Sequence, residues 1–454
     1  MKKKQLRTLS VMRKSRQALY DPPSRVGHRG IVGKSGYGKG TLGQTLCEQE
    51  FEKGNKVLIW DMFRAENTFY SFKEENPEML ELNWAVGRSS KKFKSEVLVP
   101  IFAKRGATDS QYFLPSSWIP VKINFDDLTE AEILYLMGAT TPKAEQILKS
   151  INFSSFGSLT KMQVKFLELE SGADKLFLVS DDGAMADIGD KRIYRTINRA
   201  LASLVQKNIV ASRIEKGFEF VDIDRIQGTP DVMTCVTGRG CGSMENFLTF
   251  FFNVMNRLIL DRQKHSGKYA PMVIYIPEVS NIAGATSKDD SVVSLMRFIL
   301  QEARDSGISI ILDTQRPKNI DSSVKAQITT WYVFNLNKDD VDYMDKNLVE
   351  IPRDYNIFWE IPNQGRGVCV KLWQDSGFRW RYRKAAHIFP PRSHKKSAYE
   401  DINVFYVGQG IKTNKVVDKM VSSVRTVFGS EVMEEDAPVK PKDKDRDLQS
   451  ELFG

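Results

Sequence analysis

A glycine-rich stretch near the start of the chain has the residue types and spacing that bind phosphate groups. The sequence GKSGYGKGT runs from Gly33 to Thr41, after the apolar pair Ile31-Val32 and before a helix-like pattern at 42–51. Glycines let successive backbone N–H groups turn toward a phosphate, and a lysine at the start of a helix reaches its outer oxygens. The spacing fits GxxxxGK and predicts that ATP is bound by Gly33, Gly36, Gly38, Lys39, Gly40 and Thr41.

The magnesium ligand of this loop departs from the usual pattern. A serine or threonine normally follows the lysine and binds Mg²⁺ through its hydroxyl group. Here Gly40 follows Lys39, and Thr41 comes one place later. The GKGT ending resembles the loop of adenylate kinases, which are also ATP binders. We therefore expect Mg²⁺ to be bound either by Thr41 or by water.

Two apolar runs end in acidic residues that we expect at the same edge of a sheet as this loop. Residues 56–60 end in Asp61, and residues 272–276 end in Pro277-Glu278. Ligands of open α/β sheets gather at the carboxyl ends of the strands, so Asp61 is predicted to help bind the nucleotide. The second run has the form of a Walker B strand, in which an aspartate usually holds magnesium.

The Walker B run lacks one of its two usual carboxylates. Pro277 stands in place of the aspartate, which removes a carboxylate and a backbone donor. Glu278 remains as the candidate base that activates the attacking water. The alternative for Glu278 is that it only caps a strand. Gly40 and Pro277 both weaken the magnesium site, and so a nucleotide-binding protein without turnover stays open.

The remaining strong patterns complete an alternating α/β core. Apolar runs predict strands at 232–237, 308–313 and 331–336. Residues 289–306 have helical periodicity and are followed by Gly307, a typical helix stop. Strands that alternate with helices in this way predict a parallel sheet.

Two adjoining segments make the chain similar to a known superfamily. The last helix ends in EARDSGI at 302–308, and the next strand continues into ILDTQRP at 311–317. With the phosphate loop and the Walker B run, over about residues 26–75 and 230–375, they resemble the HerA/FtsK ATPases. The resemblance implies an α/β fold with a RecA-like P-loop NTPase core and a parallel central sheet. It also implies a hexameric ring that moves double-stranded DNA, as in conjugative coupling proteins and viral genome-packaging ATPases.

Two residues take a catalytic role from this resemblance. Gln315 matches the family's polar sensor, which would detect the γ-phosphate or the attacking water. Arg304 matches an arginine that can act on a neighbouring subunit's nucleotide, because its planar fork stabilises charge on phosphoryl oxygens. The alternatives are a loop hydrogen-bonder for Gln315 and a helix C-terminal arginine favoured by the dipole for Arg304. Arg297 and Arg316 remain open as the arginine that acts in trans.

Positive charge is concentrated where it would suit a polyanion. The net charge is +9, and residues 1–17 hold seven basic residues and no acidic one. The stretch FRWRYRK at 378–384 alternates, so that on a strand its arginines share one face. The alternative for residues 1–17 is a solvated arm, and the alternative for 378–384 is an ordinary edge strand with a charged face. Lys91 and Lys92 form a further basic cluster, for which the alternative is an exposed loop. The residues predicted to contact double-stranded DNA are Arg379, Arg381, Arg383, Lys91 and Lys92.

Changes in composition and pattern divide the chain. Helix signals, including the capping box that starts at Thr129, fill most of the segment between Asp61 and the Walker B run. We expect that segment, or the C-terminal tail, to bind a protein partner. The predicted parts are a basic N-terminal arm (1–25), a discontinuous core (26–75 and 230–400), an inserted, mostly helical domain (76–229), a C-terminal helical extension (401–435) and a disordered charged tail (436–454).

The composition excludes several classes of protein. Hydrophobic residues make up 41% and charged residues 27%, which is ordinary for a globular chain rather than a disordered or collagen-like one. Four scattered cysteines predict reduced thiols, and no apolar run reaches the roughly 20 residues of a membrane helix. We therefore expect a cytoplasmic protein, or a virion-associated one in a host cytoplasm. The favoured function is an ATP-driven DNA motor, ahead of an assembly or regulatory protein without turnover and a small-molecule phosphotransferase.

Overall fold

The structure is a computed structural model of the 454-residue chain. Lys91, Lys92, the basic arm and the charged tail lie outside the residues that it describes. The described residues are 27–61, 94–102, 109–115, 118–128, 130–137, 141–149, 151, 153–174, 177–179, 185–187, 191–212, 218–228, 231–238, 241, 243–284, 290–348, 360–374, 379–387 and 402–408.

Strands and helices alternate through most of the described chain. The strands are β1 (His28–Val32), β2 (Lys56–Asp61), β3 (Lys94–Pro100), β4 (Asp109–Pro115), β5 (Trp118–Asn124), β6 (Phe177–Val179), β7 (Met185–Asp187), β8 (Val210–Ala211), β9 (Glu219–Phe220), β10 (Val232–Thr237), β11 (Met272–Ile276), β12 (Ile308–Thr314), β13 (Ile328–Val333), β14 (Val368–Gln374), β15 (Trp380–His387) and β16 (Ile402–Gly408). The helices are α1 (Lys39–Glu52), α2 (Glu130–Met137), α3 (Pro142–Lys149), α4 (Leu159–Ser171), α5 (Lys191–Lys207), α6 (Ile223–Gly228), α7 (Met244–Lys264), α8 (Asp290–Asp305), α9 (Ser322–Lys325) and α10 (Lys338–Asn347).

One large sheet organises the described residues. Its strand order is β15-β14-β13-β1-β12-β11-β2-β10-β3-β5-β8, and β9 pairs with β5 beside this path. The strands from β13 to β8 pair in parallel, which confirms the predicted α/β fold with a mostly parallel central sheet. All carboxyl ends of these parallel strands therefore meet at one edge, where ligands of such sheets bind.

Helices cover both faces of the central sheet. Side chains of one strand point alternately to either side, so a single strand contributes to both cores. On β2, Val57 and Ile59 pack in one cluster with Leu42 and Leu46 of α1. Trp60 packs in the cluster on the other face, where its ring lies 4.8 Å from that of Phe251 on α7. Burial on both faces explains why the strands read as continuous apolar runs in the sequence.

The sheet departs from the parallel prediction at one end. β14 pairs antiparallel with β13, and β15 pairs antiparallel with β14. Only residues 375–379 separate β14 from β15, and a parallel connection needs a crossover of about a dozen residues or more. A short connection therefore imposes antiparallel pairing on this edge.

The insertion predicted as mostly helical contributes strands to the main sheet. β3 pairs with β10, and β5 pairs with β3, both in parallel. Helices α2 to α5 follow only after these strands. The strand at 94–100 was not predicted, because its apolar residues resemble those of β10 or β11 and mark no boundary, whereas the apolar run at 118–123 is already strand-like in the sequence. That the rest of the insertion forms a separate domain stays a prediction.

The predicted helical extension at 401–435 begins with a strand instead. β16 pairs antiparallel with β4 along seven residues, from Ile402 opposite Pro115 to Gly408 opposite Asp109. The β-branched and aromatic residues of INVFYVG suit a strand, and its partner is almost 300 residues away in sequence. The remainder of this extension lies outside the described residues.

His28 fixes the first strand to its neighbours at the amino-terminal edge of the sheet. The buried ring donates from Nε2 to the Leu300 carbonyl at 2.6 Å and accepts at Nδ1 from the Ile310 backbone N–H at 3.1 Å. Burial lowers the pKa of His28 to about 4, although the bond to Leu300 opposes this and the charge of Arg304 adds to it. The imidazole is therefore neutral in the folded protein near pH 7.

We expect His28 to make folding weaker in mild acid. His28 in the unfolded chain has a pKa of 6.5, so its imidazole becomes protonated between pH 7 and 5. In the folded chain the same imidazole stays neutral over that interval. This contribution to the free energy of unfolding should fall by about 2 kcal/mol over that interval. Urea unfolding of wild type and His28→Gln at both pH values isolates it, since all other groups are shared. An equal pH dependence in both proteins would contradict the assignment.

Candidate functional site

The glycine-rich loop connects the carboxyl end of β1 to the start of α1. Gly38 has φ 107°, a left-handed conformation that suits glycine, and it precedes the first helical residue Lys39. A Cβ atom on Gly33 would lie 2.5 Å from the Cβ of Phe334, so only glycine fits there. Lys39 is buried, and its Nζ lies 3.5 Å from the Lys34 carbonyl. The loop thus folds back over its own lysine, as the predicted phosphate cradle requires.

Residues distant in sequence hold this loop in place. The Lys34 backbone N–H donates to the Asn335 carbonyl at 2.9 Å, and the Gly367 N–H donates to the Tyr37 carbonyl at 3.0 Å. The Asn335 side chain donates in turn to the Gln364 carbonyl at 3.2 Å. Sequence reasoning missed Asn335, although its place near the carboxyl end of the strand predicted at 331–336 was the available signal.

Glu278 and Gln315 meet beside the loop, one strand apart. The Gln315 Nε2 donates to the Glu278 Oε1 at 3.2 Å. The two residues follow β11 and β12, so both side chains emerge at the carboxyl edge. An open cavity of about 410 Å³ lies here, lined by Glu278, Ser280, Asn281, Gln315, Arg316 and Asn319. Two residues that were predicted independently are therefore in direct contact.

Glu278 has an unusual backbone. Its φ of 49° and ψ of 47° place it in the left-handed region, which a residue with a side chain rarely adopts. Such a conformation costs on the order of 1–3 kcal/mol and persists only where neighbouring contacts enforce it. Strain of this kind clusters at functional sites, and here it falls on the predicted base.

Asp313 is a residue of this site that sequence reasoning did not single out. It is buried, and its Oδ2 accepts from the Tyr275 hydroxyl at 3.0 Å. Burial raises the pKa of Asp313 to about 6, and the positive charge of Lys39 opposes that rise. The available signal was its position as the last predicted residue of an apolar strand, next to TQRP.

Asp61 lies at the same edge but farther from the loop. It is buried at the end of β2, three strands from β1 in the order β1-β12-β11-β2. Neighbouring strands are about 4.8 Å apart, so the separation across the sheet is roughly 14 Å. Its register extends to Pro277, because Ile59 pairs with Tyr275 two residues earlier. A role for Asp61 in nucleotide binding stays a prediction.

Arg304 lies at the opposite edge of the sheet from the phosphate loop. It is exposed in the last turn of α8, near enough to His28 at the start of β1 to affect the pKa of that histidine. β12 then spans the sheet with seven residues, which is about 20 Å. Arg304 therefore cannot reach the nucleotide of its own subunit. Action on a neighbouring subunit stays a prediction.

The oxygen donors at the site fit magnesium only as a partner of bound phosphate. No group of three or more His, Cys, Asp or Glu side chains within the described residues could hold a metal ion. A Cβ atom on Gly40 would meet nothing within 4 Å, which leaves open space where a hydroxyl usually lies. Thr41 is one residue, or about 100°, farther round the helix. Mg²⁺ commonly binds one or two carboxylates, substrate phosphates and water, and this donor set suits that arrangement.

The alternating basic stretch leads into an edge strand, and its side chains at 379–382 alternate as predicted. Arg379 and Arg381 are exposed, whereas Trp380 and Tyr382 pack partly buried against the core. Arg383 belongs to the edge strand, β15, which is three strands from β1.

Among the helices that the structure describes, none combines the length and the apolar character of a membrane span.

Comparison with solved structures finds similar chains at low sequence identity. The plasmid coupling protein TrwB with the ATP analogue ADPNP matches at 12% identity and a TM-score of 0.47, over 84% of this chain and 94% of that one. VirB4 of Thermoanaerobacter pseudethanolicus matches at 12% identity and 0.44, over 84% and 93%. The genome packaging NTPase B204 of Sulfolobus turreted icosahedral virus 2, with ATP-γS, matches at 16% identity and 0.27, over 37% and 73%.

The sequence itself has no such match. No protein-family profile matches the chain, and no curated protein matches its sequence. The strand order and the glycine-rich loop between β1 and α1, described above, define a mostly parallel α/β fold with a P-loop at the carboxyl edge of its sheet.

Proposed function

We propose that this chain is an ATP-driven double-stranded DNA translocase that acts as a ring of identical subunits. The observation that carries the proposal is the contact between Glu278 and Gln315 beside the phosphate loop. It joins a carboxylate that can activate water to an amide that can detect the γ-phosphate. A site that only stored a nucleotide would not need this pair, nor the strained backbone of Glu278.

In the proposed hydrolysis, three side chains have separate roles. The backbone N–H groups of the loop bind the β-phosphate, and Lys39 neutralises charge on the outer oxygens. Glu278 orients a water molecule against the γ-phosphorus and accepts its proton, while the bond to the ADP oxygen breaks. Gln315 holds the carboxylate during this step. Magnesium, when bound, would neutralise further phosphate charge, with Thr41 or water as its contact to the loop.

Coupling to DNA would use the basic residues outside the nucleotide site. Arg381 and Arg383 belong to the edge strand β15 and Arg379 directly precedes it, so these three arginines would form a row of phosphate contacts, to which Lys91 and Lys92 with the N-terminal arm would add. Such contacts read no sequence and weaken with salt. In a hexameric ring, Arg304 would reach a neighbouring subunit's nucleotide, which would link hydrolysis in adjacent subunits. The insertion or the C-terminal tail would bind the protein partner.

The proposal is tested by steady-state ATP hydrolysis with and without long double-stranded DNA. We expect turnover that DNA stimulates, and stimulation that declines between 50 and 200 mM salt. ATP binding without turnover in either condition would reject the motor. It would favour the second candidate, a nucleotide-gated assembly or regulatory protein, for which Gly40 and Pro277 are the specific observations.

The arginine row should be needed for DNA stimulation but not for basal hydrolysis. In Arg379→Ala/Arg381→Ala, we expect the DNA concentration for half-maximal stimulation to rise at least about tenfold, because two phosphate contacts are lost. The plot of log affinity against log salt should flatten by roughly two units of slope. Lys264→Ala/Lys346→Ala removes the same charge from two other exposed helix positions and should change neither quantity. Equal effects of both double variants would reject the row as a specific DNA contact.

A further inference from the structure

The strand pairing places a carboxylate beside the position where Pro277 lacks one. β11 and β12 run parallel, with Ile276 opposite Leu312. The next residues, Pro277 and Asp313, are therefore at the same level on neighbouring strands. Side chains at equal level on parallel strands share a face of the sheet. Asp313 thus lies one strand from the missing aspartate, toward the phosphate loop.

Asp313 is also bonded to the residue that follows the proline. Its Oδ1 accepts from the Glu278 backbone N–H at 3.3 Å, while its Oδ2 accepts from the Tyr275 hydroxyl. The first bond holds the peptide that leads into the left-handed Glu278. Because that conformation is strained, a buried acceptor at the peptide nitrogen is a direct way to enforce it.

The helix after the phosphate loop is shaped to accommodate this arrangement. Gly43 of α1 packs against the Tyr275 ring, and a Cβ atom there would lie 2.4 Å from its Cζ. Tyr275 can therefore point from β11 toward Asp313 between the sheet and α1. On the other side, Asp313 pairs in register with Ile31, two residues before Gly33. The Asp313 carboxylate therefore lies on β12 between the Walker B strand β11 and the strand β1 that leads into the phosphate loop, within reach of the Lys39 charge.

We infer that Asp313 replaces the Walker B aspartate of this chain from the neighbouring strand. It is a positioning residue that holds Glu278 in its left-handed conformation, and it supplies the second negative charge of the Mg²⁺–nucleotide site. Asp61, the other acid level with Pro277, lies on the far side of β11 from the loop. The inference rests on the proposed nucleotide site and identifies how that site remains complete with proline at 277.

The test uses the full-length protein and two independent measurements on Asp313→Asn. The first is the kcat and KM of ATP hydrolysis. We expect kcat to fall at least about 30-fold and KM to change less than about threefold, because the lost contact orients the base rather than the substrate. The second is the magnesium gain, defined as the ratio of Kd values for a fluorescent ATP analogue in EDTA and in Mg²⁺. The loss of one negative charge should weaken binding in Mg²⁺ and tighten it in EDTA, each by about threefold, and so reduce that gain about tenfold.

Relocation of the carboxylate gives the decisive comparison. Asp313→Ala should lower both kcat and the magnesium gain. Addition of Pro277→Asp to that variant should restore a substantial part of each. If thermal unfolding shows that both variants are folded, the same kcat and magnesium gain in the double variant as in Asp313→Ala would overturn the inference. So would wild-type values in Asp313→Asn, or loss of the magnesium gain in Asp61→Asn instead. Glu132→Gln, a buried carboxylate on α2, is the matched control and should leave kcat and the gain unchanged.

Nucleotide binding and hydrolysis by the wild-type protein distinguish the role of Asp313 from the motor function. If wild type binds nucleotide but does not hydrolyse it, the motor is rejected, and the magnesium gain still tests Asp313. A wild-type gain near one would overturn the inference while leaving DNA-stimulated turnover possible. If Asp313→Asn does not fold, Tyr275→Phe removes one donor and keeps the charge. That variant should lower kcat about threefold with the gain unchanged, and an unchanged kcat would count against Asp313.

Discussion

Replacement of Glu278 by glutamine should lower kcat for ATP hydrolysis at least about 100-fold, with or without DNA, because the variant cannot accept a proton from water. The side chain keeps its shape, and its amide oxygen can still accept from Gln315 across the present 3.2 Å. ATP affinity should therefore stay within about threefold of wild type, since binding depends on the loop and Lys39. Single-turnover hydrolysis and equilibrium nucleotide binding measure the two quantities separately.

A matched control separates this effect from a general loss of charge. Glu52→Gln removes an exposed carboxylate at the far end of α1 and should leave kcat at the wild-type value. If Glu278→Gln retained more than a tenth of wild-type turnover, Glu278 could not be the base, and a strand-capping role would be favoured. Joint loss of turnover and ATP binding would indicate instead that the site had collapsed.

Replacement of Lys39 by methionine should abolish nucleotide binding as well as turnover. Methionine keeps most of the buried volume of the side chain but removes the charge that meets the β- and γ-phosphates. We expect ATP affinity to fall at least about 100-fold and hydrolysis to become undetectable, since a phosphate contact of this kind is charge-assisted and shielded from water. Binding of a fluorescent ATP analogue, followed by competition with ATP, gives the affinity.

The same loop offers its own control for Lys39. Lys34 is only partly buried, and Lys34→Met should reduce ATP affinity less than about threefold. Equal effects at the two positions would show that net positive charge, rather than the position of Lys39, holds the phosphates. Wild-type affinity in Lys39→Met would reject the phosphate loop altogether, and with it the proposed function.

The local elements of the core were predictable because their signals are short in range. The glycine positions, the lysine and the following helix lie within Gly33–Glu52, and the buried strands are continuous apolar runs. Position 38 needs glycine because its backbone has a positive φ, which is a property of that residue alone. The run MVIYI is apolar throughout because both of its faces are buried. Sequence patterns therefore predicted the fold class and Glu278, and the family resemblance singled out Gln315.

The sequence alone did not determine which strands are neighbours. Strand pairing joins residues hundreds of positions apart, and apolar runs of similar length compete equally well for the same place in a sheet. β3 therefore joined the core from a segment predicted as a mostly helical insertion, and β16 paired with β4 where a helix was expected.

Registry across the sheet also decided which charged residues can act together. Asp313 is an ordinary strand-ending acid in the sequence, but the pairing of β11 with β12 places it against Glu278 and beside the gap at Pro277. Arg304 is only nine residues before Asp313, yet a strand of about 20 Å carries it to the opposite edge. The sequence by itself determined the chemical groups and the local backbone that presents them. The tertiary structure decided their distances, because only the burial of both sheet faces selects one strand order from many.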